Sequence, residues 1–241
     1  MAIATLFDFD GVLVNSEPVH LAAFNDVLAE EGIVIDEATY AARYLSLDDA
    51  GVFRAVLSER APGAMGSGPA PENGAARDGE EWRERRVRAL IEAKSPRFMA
   101  RFAEAFRPFP GAADVVARRA ARGPVGIVSG ALGREIAFAL ERMGVAGAVA
   151  FIVSADRPIA SKPDPAPYRA ANDELRLLGH ASGAVAIEDS PGGIASARGA
   201  GLRCVAVAHA YSEADLKRAG ADVVVPTLAA LTDDLLDGSR T

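Results

Sequence analysis

The chain has 241 residues, half of them hydrophobic and 24% charged, with a formal net charge of −7. This suits one large globular domain or two modest ones, and it argues against nucleic acid or an anionic membrane surface as the main partner, while an anionic small molecule can still meet a locally positive site. The single cysteine, Cys204, excludes an intrachain disulfide.

The first run, "AIATLF", is short and apolar, as in a strand buried on both faces, and it ends in Asp8-Phe9-Asp10-Gly11. The N-terminus has no basic start and meets an acid too early for a signal peptide. No run is long and apolar enough to span a bilayer. The cytoplasm is therefore the simplest location. In "PVHLAAFNDVLAEEGI" the spacing of Leu21, Phe24, Val27 and Leu28 predicts a helix, opened near Pro18 and closed at Gly32. "EATYAARYLSL" and "DDAGVFRAVLSERA" predict two more short helices. Ala61 to Gly79 is rich in Gly, Pro and Ala without periodicity, and predicts a mobile loop. "EEWRERRVRALIEAKSPRFMARFAEAF" predicts a longer helix, kinked or broken at Ser95-Pro96. Its arginines, Arg83, Arg85, Arg86 and Arg88, read as a solvated face.

From "PFPGAADVV" onward the texture changes. "VGIVS" precedes "LGREIAFALERMG", "AVAIEDS" precedes "GGIASARGAG", "RCVAVAHA" precedes "EADLKRAG", and "DVVV" precedes "TLAALTDDLL". Alternating strands and helices predict an α/β fold with a parallel sheet covered by helices. Cys204, inside one of these strands, reads as a buried core thiol. The first strand belongs to this half. The expected organisation is an α/β core over 1–14 and 108–241, interrupted by a helical domain over 15–107.

Open α/β sheets bind ligands beyond the carboxyl ends of their strands. Here those ends carry Asp8, Asp10 and Gly11, then Ser129 and Gly130, then Glu188 and Asp189, with Lys162 in the proline-stiffened "IASKPDP". Taken singly, each has an ordinary reading as a solvated turn acid, a capping residue or a surface lysine. Together they gather four acids, a serine and a lysine on one rim. Asp8 and Asp10, two apart on an extended chain, can address one ligand. A hard divalent cation such as Mg²⁺ takes oxygen ligands and would relieve crowding among Asp8, Glu188 and Asp189. A cation with a facing lysine suits a phosphoryl group. One carboxylate can attack phosphorus while a second moves the proton.

Four motifs, "DFDGVLVNSE", "IVSGA", "ASKPDPAPY" and "IEDSPGGIASARGAG", occur in the order in which they stand in the haloacid dehalogenase superfamily. The sequence resembles its branch of phosphatases and β-phosphoglucomutases with a helical cap. The resemblance implies a Rossmann-like core and a cap domain. It assigns Asp8 as nucleophile and Asp10 as general acid and base. It places Mg²⁺ on Asp8, the Asp10 carbonyl and Asp189, with Glu188 direct or through water. Ser129 and Lys162 would hold the transferring phosphate, beside Gly11 and Gly130. Because dehalogenases of the family lack an acid two residues after the nucleophile, Asp10 points to phosphoester chemistry. His20, otherwise a helix-surface or packing histidine, matches a histidine that couples cap closure to catalysis in relatives, and Lys94, otherwise a solvated helix lysine, matches a basic cap position there; both are candidates for substrate binding. His180 and His209 stand in no motif and read as structural or surface residues. In "RYLSLDDAG", Asp48 and Asp49 oppose a second phosphate unless they face solvent, and Arg43 is the only nearby cation. The expectation is a monomeric Mg²⁺ phosphatase acting on a small phosphorylated metabolite, a sugar phosphate. The alternatives are a β-phosphoglucomutase-like phosphotransferase and a catalytically idle module that binds phosphate or a partner.

Overall fold

The computed structural model describes residues 3–45, 47–59 and 80–238, so the loop expected over Ala61 to Gly79 lies outside the described residues. In chain order the elements are β1 (Ala4–Phe7), α1 (Glu17–Leu28), α2 (Glu37–Arg43), α3 (Asp49–Ser58), α4 (Glu80–Glu104), α5 (Ala112–Ala120), β2 (Val125–Val128), α6 (Gly133–Arg142), β3 (Phe151–Val153), α7 (Ala166–Leu177), β4 (Ala184–Glu188), α8 (Pro191–Gly199), β5 (Arg203–Val207), α9 (Glu213–Arg218), β6 (Val223–Val225) and α10 (Asp233–Asp237). They form two compact units. One comprises Met1–Asn15 with Arg107–Thr241, the other Ser16–Phe106. The fold is α/β, a Rossmann-like parallel sheet into which a helical cap domain is inserted. No helix among the described residues is long and apolar enough to cross a membrane.

In the α/β unit the six strands are all parallel, in the order β3-β2-β1-β4-β5-β6. The chain steps outward from β1 to β3, then returns to place β4 on the other side of β1. The order therefore reverses between β1 and β4, which opens a crevice at their carboxyl ends. The central strands are apolar because helices cover both faces: β1, β2 and nearly all of β4 and β5 are buried, with Cys204 among them. The strand β3 was not evident in the sequence. Its three residues pair with β2 through Ile127 opposite Ile152.

The unit's two ends are joined by a buried cation. The fully buried Arg119 of α5 donates to Thr5 Oγ1 at 2.9 Å and to the Asp237 carboxylate at 2.6 Å, and pairs with Asp233 at 3.1 Å. Hydrogen bonds from Arg119 and Arg122 hold the Asp237 carboxyl below its usual range. Burial would raise that of Asp233, yet the bonds from Arg119 and Arg118 hold it low as well. This fastens the short helix α10 to the first strand and α5.

The helical unit is built on α4 and α1. Pro18 lies in the first turn of α1, and Gly32 ends the following 3₁₀ turn with a φ of 68°. Helix α1 buries Val19, Ala23, Phe24, Val27 and Leu28, while α4 buries Val87, Leu90, Lys94, Phe98 and Phe102. These spacings of three and four form one stripe on α4. Of the kink or break expected at Ser95-Pro96, the break does not occur: the helix runs continuously through Pro96. Proline deletes one backbone hydrogen bond, but buried residues on both sides of it keep the two halves in one helix. Nor are the arginines simply a solvated face. Arg86 is paired with the buried Glu31, and Arg83 Nε is buried.

Candidate active site

The site residues of the α/β unit meet because three neighbouring strands end together. Phe7 lies opposite Ile127 on β2 and Ile187 on β4, so the next residues, Asp8, Val128 and Glu188, stand in one row. The Asp8 amide donates to the Ile187 carbonyl at 2.9 Å, which extends the ladder one step beyond the strand. Ser129 leaves β2 one residue later, its amide bonded to Val153 on β3 and its Oγ accepting from the Ala131 amide at 3.0 Å. Gly130 follows it and is exposed.

Lys162 reaches into this row from the loop before α7. Its Nζ donates to Asp8 Oδ1 at 2.8 Å, Glu188 Oε1 at 2.7 Å and the Val128 carbonyl at 2.8 Å. All three ammonium hydrogens are thereby used. Burial alone would lower the lysine's pKa, but the Asp8 and Glu188 carboxylates hold it above its ordinary value. It remains charged. Asp8 fares differently. Burial pushes its carboxyl up to about 7, against the pull of Lys162 and with the help of the charges on Glu188 and Asp10. One lysine does not offset this many carboxylates.

That imbalance is what a divalent cation would correct. Oxygen atoms of Asp8, Glu188 and Asp189, all buried, lie within 4.8 Å of one another. Glu188 Oε2 is buried and has no hydrogen-bond partner, whereas Oε1 accepts from both Lys162 and Tyr168. A set of hard carboxylate oxygens with one oxygen unmatched fits Mg²⁺.

The packing leaves these carboxylates little room to turn. A methyl group on Gly193, in the first turn of α8, would overlap the Glu188 carboxylate, and one on Gly11 would overlap that of Asp189. Gly11 also has a φ of 76°, a left-handed conformation that favours glycine. It follows Asp10, which forms a bridge with Val14 in the turn leaving β1. Asp10 is partly exposed and stands outside the three-carboxylate cluster.

His20 and Lys94 come together in the helical unit. Lys94 is 2% exposed in the middle of the α4 stripe. Its Nζ lies 2.9 Å from His20 Nδ1, donates to Asp49 Oδ1 at 2.6 Å and sits over the Phe24 ring at 4.3 Å. His20 stacks on Phe98 with centroids 4.3 Å apart. Asp49 therefore faces a buried cation, while Asp48 caps α3 by accepting from the Gly51 amide. Arg43 is paired with Glu59, so the cation beside Asp49 is Lys94. His180 lies half-buried near the Gly183 carbonyl, whereas His209 bonds the Gly11 carbonyl from beyond β5.

Tyr168 was not singled out from sequence. Its hydroxyl donates to Glu188 Oε1 at 2.6 Å, and burial pushes its pKa well up, so it stays a donor. The available signal was its place at the end of "SKPDPAPY", on the covered side of α7.

The family model for haloacid dehalogenase-like hydrolases matches residues 5–207. A phosphoglycolate phosphatase of Rhodospirillum rubrum is 32% identical, over 97% of this chain and 90% of its own length. Protein CbbY of Cereibacter sphaeroides is also 32% identical, over 96% and 94%. The crystal structure of CbbY from Rhodobacter sphaeroides in complex with phosphate superposes with a TM-score of 0.76 at 27% identity, covering 96% of both chains. A mutant of that protein, in complex with xylulose-(1,5)bisphosphate, superposes equally well at 28% identity. With the family model spanning the sheet from β1 to β5 and relatives matching nearly end to end, the chain belongs to the haloacid dehalogenase-like hydrolases, in their phosphatase branch.

Proposed function

We propose that the protein is a Mg²⁺-dependent phosphatase that hydrolyses a small phosphorylated metabolite, a sugar phosphate, through an aspartyl-phosphate on Asp8. The observation that carries this reading is one lysine held between two buried carboxylates, Asp8 and Glu188, with Asp189 beside them. Lys162 fixes Asp8 Oδ1, and so sets the direction of the other oxygen. Asp8 attacks phosphorus, the bond to the ester oxygen breaks, and Asp10 gives its proton to that leaving oxygen. Water then attacks the phosphorus of the aspartyl-phosphate. Asp10 takes a proton from the water, phosphate departs and Asp8 is restored. Ser129 donates to the transferring group, while Lys162, its hydrogens held by Asp8, Glu188 and Val128, offsets the developing charge from beside Asp8. Asp8, Asp189 and the Asp10 carbonyl, with Glu188 direct or through water, would hold Mg²⁺, which would supply charge neutralisation at the phosphoryl oxygens.

The relatives named for phosphoglycolate, and the CbbY neighbour bound to xylulose-(1,5)bisphosphate, support a small phosphorylated substrate. His20 and Lys94 are assigned to substrate binding. Asp49 cancels the Lys94 charge, which favours hydroxyl groups over a second phosphate there, and hence hydrolysis over a mutase reaction. A phosphate-release screen over sugar phosphates, phosphoglycolate and nucleotides, with and without Mg²⁺, tests the proposal. Release that requires Mg²⁺ and is greatest for one small phosphate ester is expected. Silence across the panel with Mg²⁺ present would favour an idle binding module.

A further inference from the structure

His209 stands two residues beyond β5, outside every motif, yet two contacts tie it to the far end of the sequence. Its Nδ1 lies 2.8 Å from the Gly11 carbonyl oxygen. A carbonyl only accepts, so Nδ1 carries the hydrogen. The same ring stacks on Phe109, with centroids 3.8 Å apart and planes at 18°.

Both partners belong to segments that connect the α/β unit to the inserted helices. The turn from Phe9 to Val14 is closed by the Leu13 and Val14 amides on the Phe9 carbonyl and by the Gly11 amide on Val14. The returning segment pairs with it, Phe109 N to Leu13 O and Asn15 N to Arg107 O, each at 2.9 Å. Asp10 sits inside this turn. Its neighbour Gly11 is pressed against the Asp189 carboxylate, where no side chain would fit. The backbone bonds above hold the turn to itself and to the returning segment. His209, in contrast, reaches it from a third element, the end of β5, and grips both segments at once.

We infer that His209 is a positioning residue that sets Asp10, through the Gly11 carbonyl and the Phe109 ring, against the nucleophile Asp8. The inference rests on the reading of Asp10 as the proton donor. Reacting groups tolerate little displacement: about 1 Å of misplacement can cost roughly 100-fold. Three variants separate the possibilities. His209→Phe keeps the stack and loses the hydrogen bond. His209→Asn places an amide N–H close to where Nδ1–H stood and loses the stack. Asp10→Asn removes the proton donor itself. Single-turnover phosphorylation is measured with aryl and alkyl phosphate monoesters spanning a range of leaving-group pKa, together with KM, kcat and the melting temperature.

His209→Phe is expected to lower kcat by roughly 10–100-fold with KM nearly unchanged. The deficit should grow as the leaving group worsens, as for Asp10→Asn, and His209→Asn should recover a good part of it. A structural role alone would shift the melting temperature without making the deficit depend on the leaving group. A His209→Phe deficit that is absent or flat across leaving groups, while that of Asp10→Asn is steep, overturns the inference. So does a His209→Asn protein no faster than His209→Phe. Should Asp10→Asn itself be flat, Asp10 is not the donor, and both readings fall together. If His209→Phe does not fold, His209→Leu is compared with His209→Asn instead, since both lack the stack and differ in the hydrogen bond.

Discussion

Replacing Lys162 with methionine keeps an unbranched apolar stem and deletes the ammonium. In the folded protein this strands three acceptors, Asp8 Oδ1, Glu188 Oε1 and the Val128 carbonyl, although Tyr168 still serves Glu188. The side chains of Asp8 and Glu188 are 11% and 0% exposed, so water compensates little. Removing one partner of a buried pair typically costs ~3–5 kcal/mol. Here the one cation serves two carboxylates, so the upper part of that range is expected for the metal-free protein in mildly alkaline buffer. The pH dependence has a definite sign. Asp8 is already held up to about 7 with Lys162 present, and loss of the lysine raises it further. The folded variant thus keeps protons that the unfolded chain gives up near pH 4. Wild type and variant both keep the Asp8 proton below about pH 7, so the deficit should be smallest there and should widen as pH rises from about 7 through the variant's higher pKa. Urea unfolding in EDTA, at a mildly acidic and a mildly alkaline pH, measures this. Mg²⁺ should return more stability to the variant than to the wild type, because the ion becomes the chief positive charge facing the cluster. A Lys162→Met protein within about 1 kcal/mol of wild type in alkaline EDTA, a change typical of an ordinary substitution, would refute the reasoning.

Asp8→Asn keeps the shape and removes the attacking charge. Uncatalysed monoester hydrolysis is so slow that the enzyme must supply on the order of 20 kcal/mol, and kcat should fall by several powers of ten in a phosphate-release assay. Gly193→Ala drives a methyl into the Glu188 carboxylate. It should cost ~1–3 kcal/mol in urea unfolding and weaken Mg²⁺ binding by calorimetry, whereas Gly192→Ala meets nothing and should do neither. Arg119 and its neighbours hold Asp233 and Asp237 below their usual range. Their contribution is therefore complete above the unfolded value near pH 4 and is lost as pH falls through the folded values. Asp237→Asn should lower stability at neutral pH by ~1–3 kcal/mol and flatten the acid side of the pH–stability curve.

The rim of the sheet was legible because strand ends announce themselves locally. An apolar run stopping at Asp8, another at Ser129 and a third at Glu188-Asp189 need no knowledge of what lies across space. The strand β3 was harder to read. Three residues in "AGAVAFIVSA" give too short a pattern, and only pairing with β2 makes them a strand. At Pro96 the local rule predicted a kink or a break, and packing on both sides of the residue prevents the break. Lys94 shares the spacing of Leu90 and Phe98, which marks it as inward-facing. Its partners, however, sit 45 and 74 positions away at Asp49 and His20, beyond any local reading. His209 is the extreme case, bonded to a residue 198 positions distant with no motif around it.

The most direct test of the phosphatase mechanism is to look for phosphorus on Asp8. Asp10→Asn protein, in which activation of the second-step water is impaired, is mixed with Mg²⁺ and an aryl phosphate that has a good leaving group. The reaction is quenched in acid within one turnover and its peptides are weighed. The mechanism predicts a phosphoryl group on the peptide containing Asp8, dependent on Mg²⁺ and lost when Asp8 is also changed to Asn. An aryl alcohol released in full while Asp8 stays unmodified, or a phosphoryl group on another residue, would contradict it.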